Sequence, residues 1–400
     1  MPEPRLDENA RTAQATALMT AFAERTGLTG GTPPVRYLWT DAFAVCNFVG
    51  LERIWKDGKF LNLGRRLIKQ VHETLGRHRS DDARSGWISG LPDDEGKLHP
   101  TRGGLRIGKR LPERRPKEPF DEYLEWEREG QYFHYLTQWA HALDVMAQQT
   151  KAPQYAEWAK ELVEAAARAF VYENPAGQRQ MCWKMSIDLS RRLITAMGHL
   201  DPLEGYITNR QILATCREIK TPAPSSAPDH VLDSGGALED FTKIMCGRNW
   251  TTSDPLGLGG LLLADIRLMQ VSKPDSSKDL ALISDILQSV LAGIRIWVSS
   301  DALNQPANRR LAFRELGLAI GIEGLQWVGD KAPAHAGVQN HLDALSQYAP
   351  IAEQIISFWA APENQQNPTW TEHIDINSVM LATALRPQGY LKLQGVSNKT

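Results

Sequence analysis

Apolar residues recur at helical spacing along nearly the whole of this 400-residue chain, and several of the resulting segments are apolar on more than one face. LGGLLLADIRLM at 258–269 and LAFRELGLAIGIEGLQWV at 311–328 are two such segments. A helix that is apolar nearly all round must be covered nearly all round. In 133–146 the residues Phe133, Leu136, Trp139, Ala140, Leu143 and Met146 step by three and four. The same rhythm predicts helices over 9–26, 40–55, 59–76, 153–171, 187–199, 208–219, 238–247, 256–270, 279–298, 310–328, 338–359 and 376–385. Extended structure is expected only around Cys182–Ile187 and Trp87–Leu91. About a dozen consecutive helices, half of them covered on both sides, fit an all-α (α/α)6 toroid, in which an outer ring wraps an inner ring. An irregular α-solenoid is the competing arrangement, but no fixed repeat period is present.

The breaks TGLTGGTPP, KTPAPSSAPD, SKPDSS and APENQQNP are too short to read as flexible linkers, so residues 1–400 are expected to form one toroid domain. The longest irregular stretch, 89–122, mixes Pro and Gly with Leu, Ile and Phe and is expected to be an ordered lid or rim loop.

Bulk properties exclude several functions. A net charge of −2 gives no general attraction to nucleic acid or anionic lipid. No run of about 18 uninterrupted apolar residues is present, so no membrane span is expected. The opening MPEPRLDENA lacks a signal-peptide pattern, which makes the cytoplasm the default location. Cys46, Cys182, Cys216 and Cys246 are widely separated and read as free, buried thiols. His72 and His78 have no metal-ligand spacing, and neither HExxH nor GxSxG occurs; no metal and no cofactor are expected. Gly103-x4-Gly108-Lys109 lacks the Ser/Thr and the preceding strand of a phosphate-binding loop. The partner implied is a small molecule, and the sequence leaves a homo-oligomer open.

Certain segments carry chemistry. In EREGQYFHYLTQWAHALD, residues 127–144, Gln131, His134, Gln138 and His141 share one helical face, either toward a central funnel or as satisfied structural polar groups. Glu125, Glu127 and Glu129 flank Trp126 and Arg128. They read either as helix N-terminal acids or as a general acid or base beside a sugar-stacking Trp126. Asp254 before Pro255 is a helix cap or a catalytic carboxylate. TEHIDINSV combines His373 with Asp375, which is placed to orient the imidazole or simply to cap the next helix. The run 101–117 contains Arg102, Arg106, Lys109, Arg110, Arg114, Arg115 and Lys117. It is either a solvated loop or a rim site for an anionic sugar group.

RYLWTDAFAVCNFVGL followed by SGWISGLPDDEG resembles the opening of the N-acylglucosamine 2-epimerase-like branch of the six-hairpin glycosidases. EGQYFHYLTQWAHALDVMAQ resembles the branch's next inner helix, and WKMSIDLSRRLITAM the segment after its third outer helix. The resemblance implies an (α/α)6 toroid acting on a small sugar. It places Trp39 and Asp41 on the first inner helix, and Trp139 and Asp188 in the segments that follow. The epimerases' Arg position is taken by Phe43, and their Pro-Gly-His motif by the stretch containing Asp254. Their final His corresponds to His373. These departures favour hydrolysis of a glycosidic bond over epimerisation. The expected site is catalytic His373, Asp254 and Glu129. Trp39, Asp41, Trp126, Gln131, His134, Gln138, Trp139, His141, Asp188, Asp375, Arg102 and Arg106 would surround the substrate. A noncatalytic or terpenoid-binding toroid would instead line its funnel with apolar groups.

Overall fold

Capping and glycine placement account for where the helices begin and how closely they approach. The computed structural model describes residues 7–219, 236–329 and 332–393, almost all of them helical apart from loops and five short strands. They form two compact units, one made of the described residues within 7–29, 46–61 and 249–393, the other of those within 30–45 and 62–248.

In the first unit, Asp7 caps Glu8–Arg25 by accepting from the Ala10 amide. Pro255–Val271 packs against Ala312–Val328, and Gly259 is what permits the approach: a Cβ there would fall 2.2 Å from the Gly317 carbonyl oxygen. Asn47 donates to the Val379 carbonyl at 3.1 Å and the Thr383 hydroxyl at 3.0 Å, which fixes Ile374–Leu385 in depth. The stretch expected as one helix over 338–359 is two, Ala336–Ser346 and Ala349–Ala360, because Pro350 starts a new first turn. Ser277–Ser299 is long and apolar enough on average to cross a membrane. Ile283, Ile286, Leu287, Val290, Ile294 and Trp297 are buried within the fold, whereas Ile296 and Val298 are exposed.

In the second unit, Phe133–Thr150 packs against Pro153–Phe170 and Asp201–Ile219. A buried polar seam runs along the last pairing, with Gln148 donating to Asp144 at 2.6 Å and to Thr215 at 3.0 Å. The helix expected over 187–199 does not form. Leu189 takes a left-handed φ of 59°, Asp188 accepts from the Ser190 amide, and Arg192–Ile194 pairs antiparallel with Lys184–Met185. Lys184–Met185 also pairs with Gln131–Tyr132, giving a three-stranded antiparallel sheet. The stretch 89–122 contains Asp93–Leu98, whose Gly96 lies under the Trp87 indole with no room for a Cβ.

Two thiols depart from expectation. Cys46 and Cys182 are buried, but Cys216 is half-buried and Cys246 exposed, because each of these two lies near the end of its helix. The break at 220–229 lies outside the described residues.

Candidate active site

The short sheet of the second unit brings together groups that are distant in sequence. Pairing of Gln131–Tyr132 with Lys184–Met185 sets Trp183 beside the first turn of Phe133–Thr150. The Trp183 indole N–H donates to His134 Nδ1 at 3.1 Å. Trp126 meets Trp183 edge to face at 4.8 Å between centroids, and Tyr132 stacks on His134 at 5.5 Å. The His134 ring abuts Tyr135, whose hydroxyl lies 2.6 Å from that of Tyr37. Lys109 Nζ lies 5.8 Å from the Tyr37 ring centroid. Glu127 is exposed, and its charge helps hold the Tyr37 and Tyr132 hydroxyls protonated.

Burial lowers the His134 pKa to about 4, yet 29% of its side chain remains accessible. Flanked by Tyr132, Tyr135 and Trp183, the accessible edge of the ring opens an aromatic recess. Because Nδ1 accepts the Trp183 hydrogen, the neutral ring carries its proton on Nε2. Asp201 Oδ1 lies 3.8 Å from His134 Nδ1. Burial raises the Asp201 pKa to about 7. The Gly198 amide opposes that rise, Glu204 adds to it, and Arg248 opposes it weakly. Asp201 therefore holds a proton where an ordinary carboxylate would not. Burial also raises the Tyr37 and Tyr135 pKa values, so both hydroxyls remain proton donors at neutral pH.

Of the polar stripe expected on the helix at 133–150, only His134 is reachable to this degree. Gln131 is buried in the strand before the helix, accepting from the Leu105 amide and donating to the Gly103 and Ile187 carbonyls. His141 is buried against Gln211, and Gln138 is nearly buried. Trp139 is wholly buried and donates to His72, so it offers no stacking face. Trp39 is almost buried on Phe43, and Asp41 is buried, accepting from Arg36 and the Tyr37 amide at the start of Leu38–Trp55.

Glu129 is fully buried. It accepts from Arg106 at 2.6 Å and from the Gly108 amide at 3.0 Å, which makes it a structural clamp with no free face for a substrate. Arg106 is correspondingly unavailable to an anion, since it also donates to the Arg77 and Thr74 carbonyls. Arg102 is exposed, and its charge acts on Glu161 and Glu164. Glu125 is buried in the first turn of the short helix Glu122–Glu127, in keeping with the helix-start reading, and pairs with Arg114 and Lys184. Asp188 is half-exposed. Burial alone would raise its pKa, but hydrogen bonds from Ser186 and Ser190, with the Arg84 charge, draw it down to about 2.

In the first unit, Asp254 caps Pro255–Val271 through the Gly257 amide and accepts from Arg314 at 2.7 Å. His373 is exposed at the start of Ile374–Leu385, its ring 6.1 Å from that of Phe313. Asp375 pairs with Arg25 at 3.0 Å. Asp201, Trp183, Tyr37 and Tyr135 were not singled out in the sequence. The one local signal was Asp-Pro opening a helix in HLDPLEG. Among the described residues, no group of three or more His, Cys, Asp or Glu is placed to hold a metal ion.

No family model matches the chain, and no curated protein matches it by sequence. Among solved structures, it is similar to a GH76 α-mannanase from Bacteroides thetaiotaomicron, with a TM-score of 0.55, 10% identity and 96% of each chain covered. It also aligns with an unsaturated glucuronyl hydrolase specific for heparin at a TM-score of 0.34 and 12% identity, over 88% of this chain and 97% of the other. The mannanase likeness shows the fold: this is an all-α (α/α)6 toroid.

Proposed function

We propose that this chain is a carbohydrate-active enzyme that hydrolyses a glycosidic bond in a small saccharide by acid/base chemistry of its own side chains. The observation that carries the reading is the pairing of the buried Asp201 carboxyl, 3.8 Å from His134 Nδ1, with the part-exposed His134 ring among Trp183, Tyr132 and Tyr135. In this role Asp201 gives its proton to the glycosidic oxygen as the C–O bond breaks. Glu127 is the candidate for the second carboxylate that hydrolysis requires. Trp126 and Trp183 supply faces for sugar C–H groups, and His134 Nε2–H holds a hydroxyl. The fold likeness to a mannanase makes α-mannosides the first substrates to try.

The test is release of reducing ends from α-mannosides and then from a wider oligosaccharide panel, with Asp201→Asn as the control. Cleavage by the parent that falls by roughly 10²–10⁴-fold in the variant is the expected result. Full activity of Asp201→Asn removes Asp201 from the reaction, and no cleavage of any saccharide removes the hydrolase reading.

One observation favours a second reading, sugar isomerisation or epimerisation of the N-acylglucosamine 2-epimerase type. A neutral imidazole and a tyrosine hydroxyl pair suit polarisation of a carbonyl oxygen. Uptake of solvent deuterium at carbon in a monosaccharide, without any bond cleavage, distinguishes it.

A further inference from the structure

We infer that the cleft beside this recess is a subsite for a carboxylated or sulfated sugar unit; the inference rests on the saccharide reading above and narrows its substrate class. The cleft has a volume of about 490 Å³, and its lining includes Leu111, Glu113, Arg115, Lys117, Glu118 and Arg128. Of its acidic groups, Glu118 is matched by Arg128, while Glu113 shares its cation with Asp82 and Asp188. Glu113 pairs with Arg84 and accepts from the Ile187 amide at 2.8 Å. Glu118 takes both terminal nitrogens of Arg128 and the Arg115 amide. Arg115 and Lys117 are exposed, and neither side chain forms an ion pair among the described residues. Arg115, Lys117 and Arg128 against Glu113 and Glu118 give the cleft lining an excess of cations in a chain whose net charge is −2. The excess is therefore local and does not follow from overall composition.

The cleft is joined to the recess by the backbone. Leu111 bridges Arg128, and the Glu129 amide donates to the Leu111 carbonyl at 2.8 Å. Arg128 directly follows Trp126 and Glu127, which belong to the recess. Lys109, two residues before Leu111, reaches the Tyr37 ring. Phe120 precedes and Tyr123 lies within the short helix Glu122–Glu127, the Phe120 ring 5.6 Å from the Arg114 guanidinium and Tyr123 with 81% of its surface exposed. Exposed aromatic faces beside cations suit a ring that is apolar on its C–H face and anionic at its edge. The anion-binding role expected of Arg102 and Arg106 thereby passes to Arg115 and Lys117, since Arg106 is committed internally.

The test is calorimetric titration of the intact protein with three oligomers of equal length: an oligogalacturonate, a sulfated dextran and a neutral dextran. The expected result is tighter binding of one or both anionic oligomers than of the neutral one, by about five- to tenfold. That advantage should fall as salt rises from low to physiological. The Arg115→Ala/Lys117→Ala double variant should lose the preference with no change in thermal midpoint, both side chains being exposed. The separate carboxylate and sulfate arms show which anion is accepted. Equal affinity for charged and neutral oligomers overturns the subsite, as does a preference that survives the double variant. Binding is read without turnover, so the two readings fail separately. Anion preference without cleavage removes only the hydrolase assignment, and cleavage without charge preference removes only the subsite.

Discussion

Asp201 and His134 show how a single side chain takes its behaviour from its surroundings. Burial pushes both toward the neutral form, the carboxyl keeping its proton up to about pH 7 and the imidazole refusing one down to about pH 4. If Asp201 is the acid, kcat/KM should fall as pH rises through about 7. Asp201→Asn should abolish that limb along with most of the activity, which a pH–rate profile checks. The same substitution should raise stability at neutral pH. The folded-state pKa of Asp201 lies above the ordinary carboxylate value. Stability is therefore greatest below that ordinary value and is lost as pH rises toward 7. An amide escapes this penalty and can still accept from the Gly198 amide, so a gain on the order of a few kcal/mol is expected in denaturant titrations at pH 8.

Elements are positioned by contacts that local sequence does not announce. Glu129 and Arg106 tie the irregular stretch before residue 110 to the strand at 131–132. Glu129→Ala leaves the Arg106 charge buried and unmatched, which should cost on the order of 3–5 kcal/mol. Chemical denaturation measures that loss, and a near-neutral result would show that the clamp is dispensable. Gly259 is the corresponding device in the first unit. Gly259→Ala forces a methyl onto the Gly317 carbonyl, so a loss of about 1–3 kcal/mol or more is expected, read as a lowered thermal midpoint. The stretch PLGLGG offers three glycines, at 257, 259 and 260, any of which could permit close approach. Which glycine bore the contact depended on the facing helix.

At the scale of the whole molecule, buried titratable groups oppose one another. His72 and His134, with pKa values near 3 and 4, stay neutral in the fold while the unfolded chain binds protons below about 6.5. Stability from these two is therefore lost as pH falls. Asp201, at about 7, and Asp265, raised well above the ordinary value by burial, act in the other direction: their burden lightens as pH falls. The parent should show a shallow dependence of Tm on pH between about 4 and 6.5. Asp265 is fully buried, and neither carboxyl oxygen has a hydrogen-bond partner among the described residues. Asp265→Leu should raise stability by about 1–3 kcal/mol at neutral pH. Combined with Asp201→Asn, it should unmask the histidine term as a steady fall of Tm below pH 6.5. A pH series of thermal melts decides the matter, and an unchanged profile would deny these two aspartates their part.

The periodicity of apolar residues was enough for the fold class, because a helix that must be covered on two sides carries that requirement in its own residues. It also placed most helices, and Asp-Pro at 254–255 announced a cap that Gly257 completes. What periodicity could not show is where a polar side chain finds its partner. Gln131, His134, Gln138 and His141 share a spacing, yet strand pairing seals Gln131, Gln211 engages His141, and His134 is left at the recess. Trp183 and Asp201 lie 49 and 67 positions from His134 and reach it only through the small sheet and the helix that follows it. The segment 187–199 was misread for the same reason, its apolar spacing being satisfied by a hairpin once Lys184–Met185 supplied the partner strand. Helical packing is written in neighbours three and four residues apart. Proton affinity and reachability depend on what the rest of the chain sets against a group, and only the tertiary structure decides that.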